Sequence, residues 1–231
     1  MKKIIKVSSG LMVMLAVLVA CSSAPNRMSQ VNRQHAVVGG GPTAMMRAAA
    51  RGDLETIHNL IDAGHPINAA TSEGSALSRA IDNRQMNVAM YLLSIGAKPD
   101  TGIPEGEASP LMKMARDGET HMVRLLLAAG ADVDYADRNG DTALAQAARQ
   151  GNLTTVKALL AAGADVNVSP SGHSLLMHIV SNNDLLLAQV LIAAGADINF
   201  RSDDGKSALS LAREKGYGNM EMLLVQSGAR L

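Results

Sequence analysis

Asp137-Arg138-Asn139-Gly140-Asp141-Thr142-Ala143-Leu144, with Ala147-Ala148 and Gly151 behind it and then Leu153, Val156, Leu159, Leu160 and Gly163, is the stretch that decides the architecture. Asp-x-x-Gly is turn chemistry, and the Thr142 hydroxyl is placed to accept N–H groups from a helix opening at Ala143. Gly151 tolerates the left-handed backbone that ends such a helix. The residues between these two stops predict one short helix. Leu153, Val156, Leu159 and Leu160 then follow at helical spacing on one face, which predicts a second helix stopped by Gly163. The unit is a helical hairpin followed by a long turn.

The rest of the chain repeats this unit. Glycines recur at Gly64, Gly96, Gly130, Gly163, Gly195 and Gly228, with spacings of 32, 34, 33, 32 and 33. Hydroxyl residues Thr43, Ser75, Ser109, Thr142, Ser174 and Ser207 recur with the same spacings. Two independent markers in one register define a period of about 33 residues, the signature of a repeat architecture. The first unit repeats the apolar face as Leu54, Ile57, Leu60 and Ile61. One hairpin cannot bury that face alone, so six of them must stack into a curved solenoid, with Ala-rich first helices allowing close approach. In the sixth unit Arg213 stands where the fourth has Ala148, and Glu221 where it has Val156. Charges at those places mark an outer, capping repeat.

These residues closely resemble the ankyrin repeat, whose pattern runs Asp-x-x-Gly-x-Thr-Pro-Leu-His through Ala-Ala to Gly, then an apolar helix and Gly-Ala-Asp-Val-Asn. Gly130-Ala131-Asp132-Val133-Asp134, Gly163-Ala164-Asp165-Val166-Asn167 and Gly195-Ala196-Asp197-Ile198-Asn199 carry the last element. The resemblance covers residues 42–231 and implies an all-α ankyrin-repeat solenoid of six stacked helix-turn-helix repeats. Their approximate bounds are 42–70, 71–100, 101–136, 137–168, 169–200 and 201–231. The family's His is replaced in every unit, by Met46, Ser78, Met112, Ala145, Met177 and Ser210, and only Pro110 keeps its Pro. Arg84 and Asn183 stand in place of the glycine between the two helices, where Asn fits a left-handed backbone better than Arg does.

Composition agrees with closely packed helices. Hydrophobic residues make up 47% of the chain but aromatic ones only 2%, so the core must be Leu, Ala, Val, Ile and Met. Residues 1–20 stand apart: Lys2, Lys3 and Lys6 precede an apolar run from Gly10 to Ala20, the layout of a cleaved secretory signal. Leu18-Val19-Ala20-Cys21 resembles the lipobox of bacterial lipoprotein precursors, which implies cleavage before Cys21 and its lipidation. Several acyl chains on one cysteine anchor stably where a single chain does not. Ser22 replaces the Asp that tends to retain such proteins in the inner membrane, so the resemblance implies the outer membrane, facing the periplasm. Residues 21–41 are polar and close with Gly39-Gly40-Gly41-Pro42, which predicts a tether spanning about 25 Å. Cys21 is the only cysteine, so the remainder needs no disulfide.

Removing Lys2, Lys3 and Lys6 leaves 18 basic against 21 acidic residues, a balance that argues against nucleic acid or an anionic membrane as the main charge-driven partner. No His-Glu-x-x-His, cysteine pair, phosphate loop or Gly-x-Ser-x-Gly is present, so neither enzyme, cofactor nor metal is expected. The methionines Met45, Met86, Met114 and Met222 fall at or beside apolar positions and read as core filling.

Function therefore falls to recognition of a protein partner by a monomeric adaptor or regulator. Immunity against a toxin delivered to the periplasm, such as a lipase or wall hydrolase, stays open, as does envelope stress or metal handling. In the ankyrin family partners are bound by turn tips and the exposed ends of first helices. The resemblance places these at Arg51, Asp82, Arg116, Arg138, Asn139, Arg149, Gln150, His173, Arg201, Asp203 and Lys206, with Tyr135 and Phe200 at turn bases. Arg138, Arg149, Phe200 and Arg201 are expected to project to one concave side. Changing Cys21→Ala is expected to leave unprocessed precursor on an immunoblot; normal cleavage and fractionation of the variant would refute the lipoprotein reading.

Overall fold

The computed structural model describes residues 41–230. The expected signal segment, the lipobox with Cys21 and the tether up to Gly40 lie outside the described residues. From Thr43 onward the chain forms six helix pairs: α1 (Ala44–Arg51) with α2 (Leu54–Asp62), α3 (Ala76–Asp82) with α4 (Met86–Ser94), and α5 (Pro110–Asp117) with α6 (Thr120–Ala128). Then follow α7 (Ala143–Arg149) with α8 (Leu153–Ala161), α9 (Leu175–Ser181) with α10 (Leu185–Ala193), and α11 (Ala208–Glu214) with α12 (Gly218–Gln226). The architecture is the expected all-α solenoid. With each long turn numbered by the repeat it opens, the one small sheet among the described residues is a hairpin in the second turn, β1 (Ala70–Thr71) against β2 (Gly74–Ser75), with Ala70 opposite Ser75.

The recurring hydroxyls start the first helices. Thr43, Ser75, Ser109, Thr142, Ser174 and Ser207 each accept the backbone N–H three residues on, at 3.1 to 3.3 Å. Ser78 and Ser210, two of the replacements for the expected His, return the bond by accepting the N–H of Ser75 and Ser207 at 2.8 Å. Each first helix then ends on a left-handed residue, and two of the six are not glycine: Arg84 and Asn183 both have φ of 56°. Arg84 donates its N–H to the Ile81 carbonyl and Gln85 donates to Ala80, the bonding that Gly151 and Asn152 make to Ala148 and Ala147. The paired bonds satisfy carbonyls the helix leaves open and hold the register through the unfavourable residue.

The core runs the length of the stack as a strip of small and branched side chains. In the fourth pair Ala147, Ala148, Val156 and Leu159 are fully buried, while Leu153 and Leu160 are half-buried. Met45 and Met114 are buried as expected, but Met222, on the last helix of the described residues, is 58% exposed. The charges that replace core residues in the last repeat find each other instead, with Arg213 Nε 2.6 Å from Glu221 Oε1.

Turn side chains tie each repeat to the next. Asn68 accepts the N–H of Lys98, Asp100 that of Asp132, Asp134 that of Asp165, Asn167 that of Asp197 and Asn199 that of Arg230, all at 2.7 or 2.8 Å. Where the residue is Asn, its amide also donates to a glycine carbonyl of the next repeat, as from Asn167 to Gly195 and from Asn199 to Gly228. Asp100 has no such donor, and its Oδ1 is buried without a hydrogen-bond partner.

Neighbouring first helices pack over more of their length than neighbouring second helices at four of the five junctions, so the stack bends with the first helices inside. Between the second and third repeats this reverses: α4 meets α6, whereas α3 and α5 hardly touch. A groove of about 280 Å³ opens there, floored by Ile103, Pro104, Ala108 and Pro110. The longer third turn sits over it, and Gly102 is required in that turn: a Cβ there would lie 2.6 Å from Ala70 Cβ and 3.0 Å from the Gly74 backbone.

Burial raises the Asp100 carboxyl above the usual carboxylate range; the Asp132 N–H opposes this and the Asp132 charge reinforces it. A proton held more tightly in the folded state favours folding below the unfolded carboxylate pKa, and that contribution is lost as pH rises through the folded value. Asp100→Asn should therefore stabilise the protein by about 1 kcal/mol at neutral pH, and by less as pH falls below about 4. Urea titrations at both pH values measure this; a pH-independent difference would contradict the assignment.

Candidate protein-binding surface

The inner layer of first helices and the long turns beside it form the concave face. Each first helix buries most of its alanines and large apolar residues against its neighbours, Ala44, Ala50 and Leu211 excepted, which leaves the fourth and the last residues of the helix pointing outward. Those positions carry the polar chemistry of the face.

The residues expected there divide into two groups. Arg51, Asp82, Arg116, Arg138, Asn139, Gln150, His173, Arg201 and Asp203 are exposed, whereas Tyr135, Arg149, Phe200 and Lys206 are half-buried. Tyr135 and Phe200 pack against the core, so their rings support the turn bases rather than standing free. Most of the ionic members have partners within the chain. Asp82 Oδ1 lies 2.5 Å from Lys113 Nζ, Lys206 Nζ 2.9 Å from Glu214, Arg51 3.8 Å from Asp53 and Arg116 3.5 Å from Asp117. The Arg138 guanidinium donates to the Glu105 carbonyl at 2.9 Å and lies 3.6 Å from Glu107, joining the fourth turn to the third. Arg201 donates to the Gly205 carbonyl of its own turn, and His173 lies on the fifth turn, where Nδ1 is 3.2 Å from the Ser171 carbonyl oxygen.

Arg138, Arg149, Phe200 and Arg201 do not make one free patch. The first two sit on the fourth repeat, the last two on the segment joining the fifth to the sixth, and the fifth turn lies between them. Arg149 has the most structural role of the four. Its Nη1 donates at 2.6 Å to Asp141 Oδ2, which also accepts from Gln146, while Asp141 Oδ1 is buried and unpaired. His178 of the next first helix faces the same cluster. Burial lowers its pKa, the Arg149 charge lowers it further, and Asp141 opposes both. The four side chains form a polar seam between α7 and α9.

Sequence reasoning passed over the row at the fourth position of the first helices: Arg47, Arg79, Lys113, Gln146, His178 and Leu211. Aligning the units at their own spacing brings these into one column. Arg84 is a further exposed cation, its guanidinium 3.0 Å from Asp117 at the end of α5. Among the described residues no group of three or more His, Cys, Asp or Glu is placed to hold a metal ion, and no helix is long and apolar enough to cross a membrane. The face can offer charged and polar side chains at regular intervals, which is the chemistry of recognising a surface.

A family model described as ankyrin repeats (3 copies) matches residues 100–170. The chain is similar to the cyclin-dependent kinase 4 inhibitor B of Rattus norvegicus, 33% identical over 102 residues, which is 44% of this chain and 78% of that protein. Among solved structures it is similar to an ankyrin repeat domain from Acinetobacter baumannii AYE, with a TM-score of 0.73 and 32% identity over 80% of this chain and 98% of that one. It is also similar to the ankyrin repeat domain of Bcl-3, described as a unique member of the IkappaB protein family, with a TM-score of 0.71 and 28% identity over 82% and 88% of the two chains.

Arg149→Ala should destabilise the fold by about 1–3 kcal/mol, because it strips the Asp141 carboxylate of its charged partner in a nearly buried site. Adding Asp141→Asn should restore most of that loss, whereas Arg138→Ala, on the exposed turn, should stay within about 0.5 kcal/mol. Chemical denaturation of the three variants checks this.

Proposed function

The chain belongs to the ankyrin-repeat family, and on that footing we propose that it is a binding protein. It is anchored through lipid on Cys21 at the periplasmic side of the bacterial envelope, at the outer membrane by the identity of Ser22, and it holds a partner protein as an adaptor or regulator. The observation that carries the binding part is the concave layer of first helices. Its outward positions recur at every repeat and are polar except at Leu211 of the sixth, while most apolar positions are consumed by stacking. Such a surface presents many independent contacts in a fixed geometry, and a few of them suffice for most of the affinity. The anchoring part is supported by Leu18-Val19-Ala20-Cys21 behind a charged, then apolar, start.

A second reading is favoured by one comparison. The similar protein from Rattus norvegicus is by name an inhibitor of a kinase, and the match spans most of its length. On this chain the corresponding role is inhibition of a toxin reaching the periplasm, such as a lipase or wall hydrolase. The two readings use the same face and separate by outcome: an inhibitor abolishes its partner's activity at equimolar ratio, and an adaptor leaves it intact. Metal handling finds no supporting cluster among the described residues.

A photo-reactive amino acid placed in living cells at Gln150 or Asn182, both exposed on first-helix ends, should capture one protein reproducibly, and the same group at Gln189 on α10 should not. Capture from Gln189 alone would place the interface on the convex side and overturn the concave assignment.

A further inference from the structure

Charge is unevenly divided over the stack. Counted from its first residue to the left-handed residue that closes it, each first helix is a block of nine, and the six blocks hold nine of the sixteen Lys and Arg residues of 41–230. Only three acidic residues, Asp82, Asp117 and Glu214, share those blocks. The five long turns carry the opposite sign, with twelve acidic residues against four basic ones. The second helices, counted to their closing glycines, carry two basic and three acidic residues and are nearly neutral. Residues 41–230, with 16 basic against 21 acidic side chains, thus fold into a basic concave floor bordered by acidic turns.

The floor is open to solvent. The side chains of Arg51, Arg84 and Arg116 are 62%, 69% and 52% exposed, and Arg47, Arg213 and Lys215 are exposed as well. Seven of the nine floor cations are bridged to carboxylates, but Arg84 and Arg116 share Asp117, and among the described residues no carboxylate lies within bridging distance of Arg47 or Lys215, so a surplus of positive charge remains on the floor. Where first helices pack against each other, as α1 on α3 and α5 on α7, their axes lie about 8–10 Å apart, close to one Debye length at physiological salt, so the cations of such a pair act together on one ligand.

We propose that the segment of partner seated on the concave face is an acidic stretch of polypeptide, its carboxylates running along the row of first helices. This rests on the reading of that face as the binding surface and adds the chemistry of what binds. An extended chain advances about 3.3 Å per residue, so a helix spacing of about 10 Å matches an acidic residue at every third position. The bordering turns select for a narrow ligand. A nucleic acid, with its dense and uniform negative charge, or a flat anionic membrane would have to press against the acidic turns to reach the floor. The chain's own segment 22–40 carries Arg27 and Arg33 and no Asp or Glu, so it does not complement the floor.

The test uses the full chain in neutral detergent and a fluorescein-labelled peptide of about twelve residues with Glu at every third position, long enough to cross four helices. The comparison probes are the same peptide with Gln for Glu, a single-stranded DNA oligonucleotide and phosphatidylglycerol vesicles. The Glu peptide should bind at least about tenfold more tightly than the Gln peptide and weaken steeply as salt is raised. Arg51→Gln with Arg116→Gln should weaken it about tenfold with an unchanged melting curve, since both side chains are exposed. Arg124→Gln with Lys157→Gln, which removes two cations from the second helices, should leave it unchanged. Equal binding of the two peptides, or equal loss in both double variants, overturns the proposal. Binding of the oligonucleotide or vesicles as tight as the Glu peptide overturns the commitment to polypeptide. Failure of the Glu peptide while capture from Gln150 persists removes only the acidic chemistry; loss of that capture removes the binding reading itself.

Discussion

A single side chain near the end of each of the first five repeats, Asn68, Asp100, Asp134, Asn167 or Asn199, accepts a backbone N–H from the next repeat, and the stack depends on that bond. Apolar burial drives neighbours together, but burial is non-directional and permits sliding. The bond fixes height and rotation at the turn end, where no helix reaches. It also explains why the turn motif matters beyond its own conformation. In Gly-Ala-Asp-Val-Asn the glycine ends the helix, the Asp accepts the N–H two residues on, as Asp165 does from Asn167, and the last residue reaches the neighbouring repeat.

The architecture was legible because its determinants are local and recur. Hydroxyl caps, left-handed stops and the helical spacing of leucines each declare a boundary, and six repetitions remove the ambiguity of any one. Arg84 and Asn183 were the exceptions at the stop position, and the flanking bonds from Gln85 to Ala80 and from Asp184 to Ile179 show why they fit: tertiary packing sets the register and the residue accepts the strain. The binding face was read less well. Residue type and position placed Arg149 and Phe200 on a surface, but whether a side chain is free depends on partners distant in sequence or fixed by the fold. Asp141 holds Arg149, and the core takes the ring of Phe200. Nothing local to either residue announces that.

What the sequence does hold, when sorted by repeat position rather than read along the chain, is the separation of charge. The total hides it, because the cations of the first helices are outnumbered by the anions of the turns when the two are summed. The fold separates them by gathering one column on the inside of a curve and the other along its border, so the local field within the concavity differs in sign from that of the stack as a whole.

The junction between the second and third repeats unites three features that arise separately. Its turn side chain is the carboxylate with the orphaned oxygen, its first helices stand apart over a groove, and its connecting turn belongs to the longest interval between successive stop glycines. Mechanically the solenoid is then an arch with one joint of a different kind, where the first helices are linked by the Asp82–Lys113 and Arg84–Asp117 bridges rather than by packed side chains. Two repeats lie on one side of that joint and four on the other. A ligand lying across it would bridge two arms that meet, on the concave side, through charged side chains rather than through packed helices.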